Sequence, residues 1–384
     1  MGHPSIVISG HGGMLAVMAV EYSGPLRGLR VVEMAGIGPG PYAAMLLADM
    51  GADVIRVERP GGATDAATAA RDVVNRGKRS VALDLKSESG AAAVRRMLAG
   101  ADVVIEGFRP GVMERLGLGP DECLGLNPRL VYARMTGFGQ SGPLAPVAGH
   151  DIGYIALTGA LWATGRPDER PAPALNLVGD YGGGSMFCVF GIMCALFERM
   201  TSGLGQVVDA AMVDGVASLT TMFTALRAMG VWQDARGVNL LDTGAPFYEV
   251  YECADGKFLA VGALEPQFYA ELVRRTGFRD SVAQPAPAQW ADDKAEWAAL
   301  FATKTRDEWA ALLADSDACV QPVLDWVEAR AHPHLVARST FVDVAGISQP
   351  APAPRFSRTP GAIRGPAPVN GQHTDEVLAE HGVS

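Results

Sequence analysis

Of the seven histidines, His150 has the setting best suited to moving a proton. It lies in Ala148-Gly149-His150-Asp151, between the proline-bearing loop Gly142-Pro143-Leu144-Ala145-Pro146 and the apolar run Ile152 to Leu157. An imidazole titrates near neutrality and can take or give a proton there. Asp151 reads as the cap of the helix that follows, and a helix N-terminus attracts anions. The same pattern also admits a purely structural histidine. Asp180 lies in Leu177-Val178-Gly179-Asp180-Tyr181-Gly182-Gly183-Gly184-Ser185. Three consecutive glycines opening an apolar helix are costly in backbone entropy, so something must come close to that backbone. An Asp N-cap with tight helix packing satisfies this as well as a catalytic carboxylate does. Glu265 follows an apolar strand and precedes Pro266, which makes it a helix-capping position. Packing, capping or solvation accounts for His3, His11, His332, His334, His373 and His381, from their places near the termini or in polar segments.

The turn Gly36-Ile37-Gly38-Pro39-Gly40-Pro41 follows an apolar strand and opens a helix, and Glu58 ends the next strand about twenty residues later, the spacing of a dinucleotide site. Pro41 occupies the third glycine position, and Glu58 is followed by Arg59, a cation suited to a phosphate. A nucleotide-like ligand on a doubly wound sheet is therefore expected, with an NADP enzyme using Gly36 to Gly40 and Arg59 as one alternative. Arg76, Lys78, Arg79, Lys86, Arg109 and Arg115 also fall near expected strand ends. Ligands of open α/β sheets bind at that carboxyl edge, so some of these cations are expected to meet phosphates.

The elements that must position these groups are legible as alternating patterns. Leu29 to Met34, Asp53 to Val57, Ser80 to Asp84, Asp102 to Glu106 and Leu130 to Arg134 read as buried strands, with Pro41 to Met50 and Glu88 to Leu98 as helices between some of them. This is βαβ logic and implies a parallel sheet covered on both faces. Ala174 to Asp214 gives a long apolar helix and a strand at Gln206 to Asp209. The apolar stretch Gly182 to Phe197 is shorter than the ~20 residues of a membrane span and reads as a buried core helix. Beyond Leu240 the texture changes: Tyr248 to Cys253 and Phe258 to Val261 flank Ala254-Asp255-Gly256-Lys257, an antiparallel hairpin in a smaller α+β region.

Composition bounds the function. A chain of 384 residues exceeds the size at which one core keeps growing. Its 32 basic against 42 acidic side chains leave a net charge of −10, the wrong sign for gripping nucleic acid or an anionic membrane. The five cysteines are scattered without a CxxC pair, so neither a disulfide framework nor a zinc site is indicated and a reducing cytoplasm is expected. Residues 1–20 have no basic n-region and the C-terminal residues match no common targeting tail. Regular patterning begins near Gly24, which leaves Met14 or Met18 as alternative starts.

Several blocks in order carry a resemblance: Gly24-Pro25-Leu26-Arg27-Gly28-Leu29-Arg30-Val31-Val32-Glu33, Asn75-Arg76-Gly77-Lys78-Arg79-Ser80, Leu83-Asp84-Leu85-Lys86, Glu106-Gly107-Phe108-Arg109-Pro110-Gly111, Thr136-Gly137-Phe138-Gly139-Gln140-Ser141-Gly142-Pro143 and His373-Thr374-Asp375-Glu376. The chain resembles the family III CoA-transferase superfamily. Gly149-His150-Asp151, the Gly179 to Gly184 block and Glu265-Pro266-Gln267-Phe268 make it similar to the α-methylacyl-CoA racemase branch. The residues before Gly24 and the loop from Gly61 to Thr68 depart from that pattern.

The resemblance implies His150 and Asp180 as acid/base groups, with Glu265 as the carboxylate partner of His150. The implied reaction inverts the carbon beside a thioester carbonyl through an enolate. The alternative is a CoA-transferase in which Asp180 forms an acyl anhydride, and a CoA-thioester binding protein without turnover is a further one. The implied substrate contacts are Ile37, Arg59, Leu83, Asp84, Leu85, Lys86, Glu106, Gly107, Arg109, Arg115, Gly149, Asp151 and Tyr154, with Arg59 and Arg115 on the CoA phosphates and Leu83 to Lys86 beside the adenine and ribose. Backbone donors for the enolate oxygen are expected at the helix start by Asp151. At a helix start the macrodipole would lower the Asp180 pKa, so burial against the acyl pocket, Met186 and Phe187 must push it up.

The implied organisation is an N-terminal extension (1–23), a large Rossmann-like CoA-binding domain (24–215, completed by 345–384), a linker helix (216–239) and a small α+β domain (240–344). Two subunits are expected to interlock as a homodimer. Neither metal nor cofactor is expected beyond the CoA of the substrate, and neither nucleic acid nor membrane as a partner.

Overall fold

The computed structural model describes residues 23–63 and 65–383, so the expected extension before Ser23, with Met14 and Met18, lies outside the described residues. Strands β1 (Arg30–Met34), β2 (Asp53–Glu58), β3 (Arg79–Ala82), β4 (Val103–Glu106), β5 (Val131–Thr136) and β6 (Val207–Ala211) form a six-stranded sheet in the order β3-β2-β1-β4-β5-β6. Every neighbouring pair runs parallel. Successive side chains on a strand point to opposite faces. Val31, Val103 and Val131 accordingly pack beneath Leu47 of the helix Pro39–Asp49 and Cys188 and Ile192 of the helix Phe187–Ser202. Val32, Val104 and Tyr132 pack on the other face beneath Val94, Met97 and Leu98 of the helix Glu88–Ala99. Burial on both faces is why these strands are nearly continuous apolar runs.

A second core lies under a three-stranded antiparallel sheet of β7 (Tyr248–Glu252), β8 (Phe258–Gly262) and β9 (Val320–Pro322). Trp297 is stacked there between Phe278 and Phe301, at centroid distances of 3.7 and 5.4 Å. The hairpin of β10 (Phe341–Val344) and β11 (Ile347–Pro350) then leads the chain back to the parallel sheet. Gly77 N–H donates to Gly365 O at 3.0 Å, His373 N–H to Ser80 O at 2.9 Å, and Ser80 N–H to His373 Nδ1 at 3.1 Å, which docks the final helix Thr374–Glu380 beside β3.

Two segments differ from the sequence expectation. In place of one linker helix over 216–239 there are two short helices, Met212–Leu219 and Thr221–Ala228. The apolar stretch expected to be a buried core helix is buried on one side only. It is part of a continuous helical run, Leu177–Ser202, which by length and composition alone could cross a membrane. Cys188, Ile192 and Ala195 face the sheet, whereas Phe190, Met193, Phe197 and Met200 are exposed, Phe197 by 75% and Met200 by 81%. Composition does not distinguish a helix covered all round from one with a bare apolar side.

The run opens as a π-helix over Leu177–Met186, a rare form that is frequent at functional sites. Its glycines meet the helix Met212–Leu219 backbone to backbone. A Cβ at Gly215 would fall 1.9 Å from Gly183 O, and one at Gly183 would fall 2.8 Å from Val216 N. This contact is the close approach that the three glycines imply. We expect Gly215→Ala to lower stability by about 1–3 kcal/mol, the cost of overpacking. Gly153→Ala, where a Cβ meets nothing within 4 Å, should be neutral or stabilising. Urea-denaturation midpoints of the two variants check this, and equal midpoints would contradict it.

Candidate active site

The expected ligand-contact positions converge on the carboxyl edge of the parallel sheet. Ile37 follows β1 and is 84% exposed, Arg59 follows β2, Leu83 to Lys86 follow β3, and Gly107 and Arg109 follow β4. Gly149, His150, Asp151 and Tyr154 lie beyond β5, and Asp180 lies in the π-helix on the crossover to β6. The strand order reverses between β1 and β4, and the crevice at such a switch point is where open α/β sheets bind ligands.

His150 is the exposed N-cap residue of the helix Asp151–Leu157, in extended conformation (φ −136°, ψ 169°). Asp151 does not cap its own helix, because it is that helix's first residue. Its buried Oδ2 instead accepts from the backbone N–H groups of Gly179 at 2.6 Å and Asp180 at 2.8 Å, capping the π-helix. Position 179 must be glycine for this, since a Cβ there would lie 2.5 Å from Asp151 Oδ2. The Asn176 amide donates to Asp180 Oδ2 at 3.2 Å. Across from it, Gly38 (φ +70°) leaves room for the same carboxylate, which a Cβ there would approach to 3.4 Å. The glycine turn thus faces Asp180.

Burial raises the Asp180 pKa above the ordinary carboxyl range; the Asn176 hydrogen bond opposes this, the Asp151 charge adds to it, and the nearby His150 opposes it. Met186, expected to shield the carboxylate, is 51% exposed in one chain. Tyr154 is buried edge-on against Phe138 with centroids 5.1 Å apart, and Gly137 makes room for it, since a Cβ there would overlap the ring at 2.2 Å. Burial raises the Tyr154 hydroxyl, with Asp180 and Asp151 adding to the effect.

Several expectations need correction. Glu106 is buried, with Oε1 accepting from Arg134 Nε at 2.9 Å and Oε2 from Phe108 N–H at 2.8 Å, so its side chain braces the strand end instead of facing a ligand. Arg76 is buried against Asp49 at 2.6 Å, Lys78 against Glu33 at 2.6 Å, and Arg79 binds Asp53 at 2.6 Å. These three cations are internal counter-ions and are not free for phosphates. Glu58 accepts from Ser80 Oγ and Arg56, which removes the ribose contact that a dinucleotide reading gives it. Leu83 and Leu85 pack partly against the core, while Asp84 turns the chain by accepting from Lys86 N–H at 3.0 Å.

Glu265 is an exposed N-cap residue of the helix Pro266–Thr276; burial raises the Cys319 thiol, and the charges of Glu265 and Asp317 add to the effect. Among the described residues of one chain no hydrogen bond or ion pair joins Glu265 to His150. Arg59, Lys86, Arg109 and Arg115 are exposed, and no ion pair engages them among the described residues. Sequence reasoning missed Asn176, whose only signal is its place four residues before Asp180 at a helix start.

The chain is similar to known proteins over nearly its whole length. An alpha-methylacyl-CoA racemase of Mus musculus is 50% identical over 363 residues, 94% of each chain, and one of Homo sapiens is 46% identical over 364 residues, again 94% of each. A crystal structure of a CAIB/BAIF family protein from Brucella suis superposes with a TM-score of 0.80 at 29% identity, covering 94% of this chain and 100% of that one. Residues 26–374 match the family described as CoA-transferase family III. With that match spanning both the parallel sheet and the antiparallel one, the chain belongs to CoA-transferase family III.

Proposed function

We propose that this chain interconverts (2R)- and (2S)-methylacyl-CoA thioesters by a two-base 1,1-proton transfer. The observation that supports the reading is that His150 caps the helix Asp151–Leu157 while Asp151, the first residue of that helix, accepts from Asp180 N–H at 2.8 Å, which ties the backbone of one candidate group to the residue beside the other. One group takes the α-proton, and the electrons of the C–H bond pass into the thioester as an enolate. The other group returns a proton to the opposite face, and the pair is left in the protonation states that serve the reverse direction. The Asp151 and Ile152 amides at the start of the helix Asp151–Leu157, which no side chain caps, are the donors for the enolate oxygen, since Gly153 N–H already donates to His150 O at 2.8 Å. One such donor is worth about 3–4 kcal/mol. The reaction calls on no metal or redox group, and the CoA arrives with the substrate.

Arg59 and Arg115 take the CoA phosphates, with Lys86 and Arg109 beside them. The Leu83 to Lys86 segment borders the adenine and ribose, and Ile37, Gly107, Gly149 and Tyr154 line the thioester path. Two copies form the working unit. Met186, Phe190, Met193, Phe197 and Met200 alternate steps of four and three along the bare side of the long helix, the spacing of a helix seam. Since its other side packs on the sheet, a second copy of the chain suits this stripe better than lipid. Glu265 then partners His150 in the assembled dimer. The cysteines are all free thiols, which suits a cytoplasmic enzyme.

Several relatives 31–34% identical are named CoA-transferases, among them a succinyl-CoA--D-citramalate CoA-transferase of Chloroflexus aurantiacus at 32%. They favour a second reading in which Asp180 attacks the thioester and forms an acyl anhydride. Trapping with hydroxylamine in the presence of a free-acid acceptor separates the two, because only that route labels Asp180.

The reading is tested by incubating one epimer in D₂O and following epimerisation and α-deuterium by NMR. Both should appear together, and absence of α-exchange with every branched acyl-CoA would refute it. We expect His150→Ala and Asp180→Ala each to lower kcat by ~10²–10⁴-fold while CoA still binds by calorimetry. Glu265→Gln should cost less, since it orients and does not transfer. Arg115→Ala should raise KM with little change in kcat. The kcat/KM profile should be bell-shaped with its acid limb above the ordinary aspartate value of ~3.9, because burial holds Asp180 protonated to higher pH. A limb at the ordinary value would contradict this placement of Asp180.

A further inference from the structure

The Asp151 carboxylate is buried, 6% exposed, and only one of its oxygens is engaged. Oδ2 accepts from the Gly179 and Asp180 amides, whereas Oδ1 is buried with no partner among the described residues. Neither does any ion pair with a cation engage Asp151 there. A buried, unpaired carboxylate is expensive to keep, since no counter-ion repays the loss of its hydration. An uncharged acceptor would cap the π-helix at lower cost, so the charge itself calls for an explanation.

The geometry supplies one. Asp151 adjoins His150 in sequence, and its carboxylate grips the backbone of Asp180 from the neighbouring helix start. One side chain therefore spans the two groups of the proposed proton transfer. We propose that Asp151 is the positioning residue of the site: it locks Asp180 at a fixed separation from His150 and lends its unpaired charge to keep the Asp180 proton exchangeable. The inference rests on the two-base reading.

The direction of the second effect follows from the surroundings of Asp180. His150, Asp151 and Tyr154 face it from the helix Asp151–Leu157 and its cap. From the helix Pro39–Asp49 comes Tyr42, whose ring lies 4.5 Å from that of Tyr181, and Asp49 at its far end is paired with Arg76. Arg134 of β5 is paired with Glu106 and Glu114, and Asp209 of β6 accepts from Gln140 N–H at 3.0 Å. Asp214 on the helix Met212–Leu219 is exposed, as is Glu198 on the helix Phe187–Ser202, whose Arg199 is paired with Asp102. The buried charge that bears on the Asp180 carboxyl is thus that of Asp151. It raises the pKa of Asp180, and removing it must lower that pKa.

Asp151→Asn keeps an oxygen that can accept both amides but removes the charge, while Asp151→Ala removes both. The test is the pH profile of kcat/KM, with kcat and KM, for wild type and the two variants on a single 2-methylacyl-CoA epimer. Asp151→Asn should move the acid limb to lower pH. Asp151→Ala should lower kcat by ~10²-fold or more with KM little changed, the penalty of a misplaced reacting group. Gly179→Ala, which pushes the same contact apart from the other side, should lose kcat in the same way. A purely structural role would not move the limb, so a limb unmoved in Asp151→Asn overturns the proposal even if Asp151→Ala does not fold. Wild-type kcat in Asp151→Ala overturns it too. A wild-type chain without α-exchange overturns the two-base reading and this inference together, whereas an active wild type with indifferent Asp151 variants overturns this inference alone.

Discussion

Two backbone N–H groups, of Gly179 and Asp180, converge on one oxygen of Asp151, and the geometry of the site depends on that convergence. Hydrogen bonds to a charged acceptor are worth about 1.5–3 kcal/mol each, an amount comparable with the cost of burying the carboxylate. The arrangement therefore contributes position more than stability. It requires glycine at 179, where a side chain would collide with the acceptor. It also requires the π-helix to lie where the Gly183 and Gly215 backbones touch. The wide first turn, the glycine pair and the buried carboxylate are parts of one device that fixes the backbone of Asp180 against the helix that His150 caps.

Charge is arranged on the same principle. The chain is acidic overall, at −10, yet its ligand is anionic on the proposed reading. Arg76, Lys78 and Arg79 neutralise carboxylates inside the fold. Lys78 is fully buried, and burial lowers its pKa although Glu33 opposes the change. The Arg59, Lys86, Arg109 and Arg115 side chains are left exposed near the carboxyl edge of the sheet. Cations held near a crevice attract an anionic ligand locally whatever the sign of the whole molecule.

The parallel sheet was legible in the sequence because its central strands, buried on both faces, leave apolar runs, and the observed bounds of β1 to β6 fall within two residues of the expected strands. The glycine-rich opening of the π-helix also announced a close backbone contact. The identity of that contact was not legible, because Gly215 lies some thirty residues further along and nothing local pairs it with Gly183. Arg76 and Arg59 look alike from sequence, each a cation near a strand. Only folding reveals that Asp49 stands beside the first. Asp151 read as a cap for its own helix because capping patterns are local, whereas the amides it binds are 28 and 29 positions away. The bare side of the helix Phe187–Ser202 was hidden for a related reason: apolar composition is the same whether a core or a second copy covers it.

On the proposed mechanism two different groups act on opposite faces of one carbon, and the most direct measurement follows α-proton exchange in D₂O separately for each epimer with His150→Ala and Asp180→Ala. Each variant keeps one base. Neither variant should epimerise at an appreciable rate, and each should exchange the α-proton of one epimer only, with opposite preference in the two variants. Exchange of both epimers by a single variant would contradict it, as would the same epimer preference in both, because either result would leave one group doing the work assigned to two.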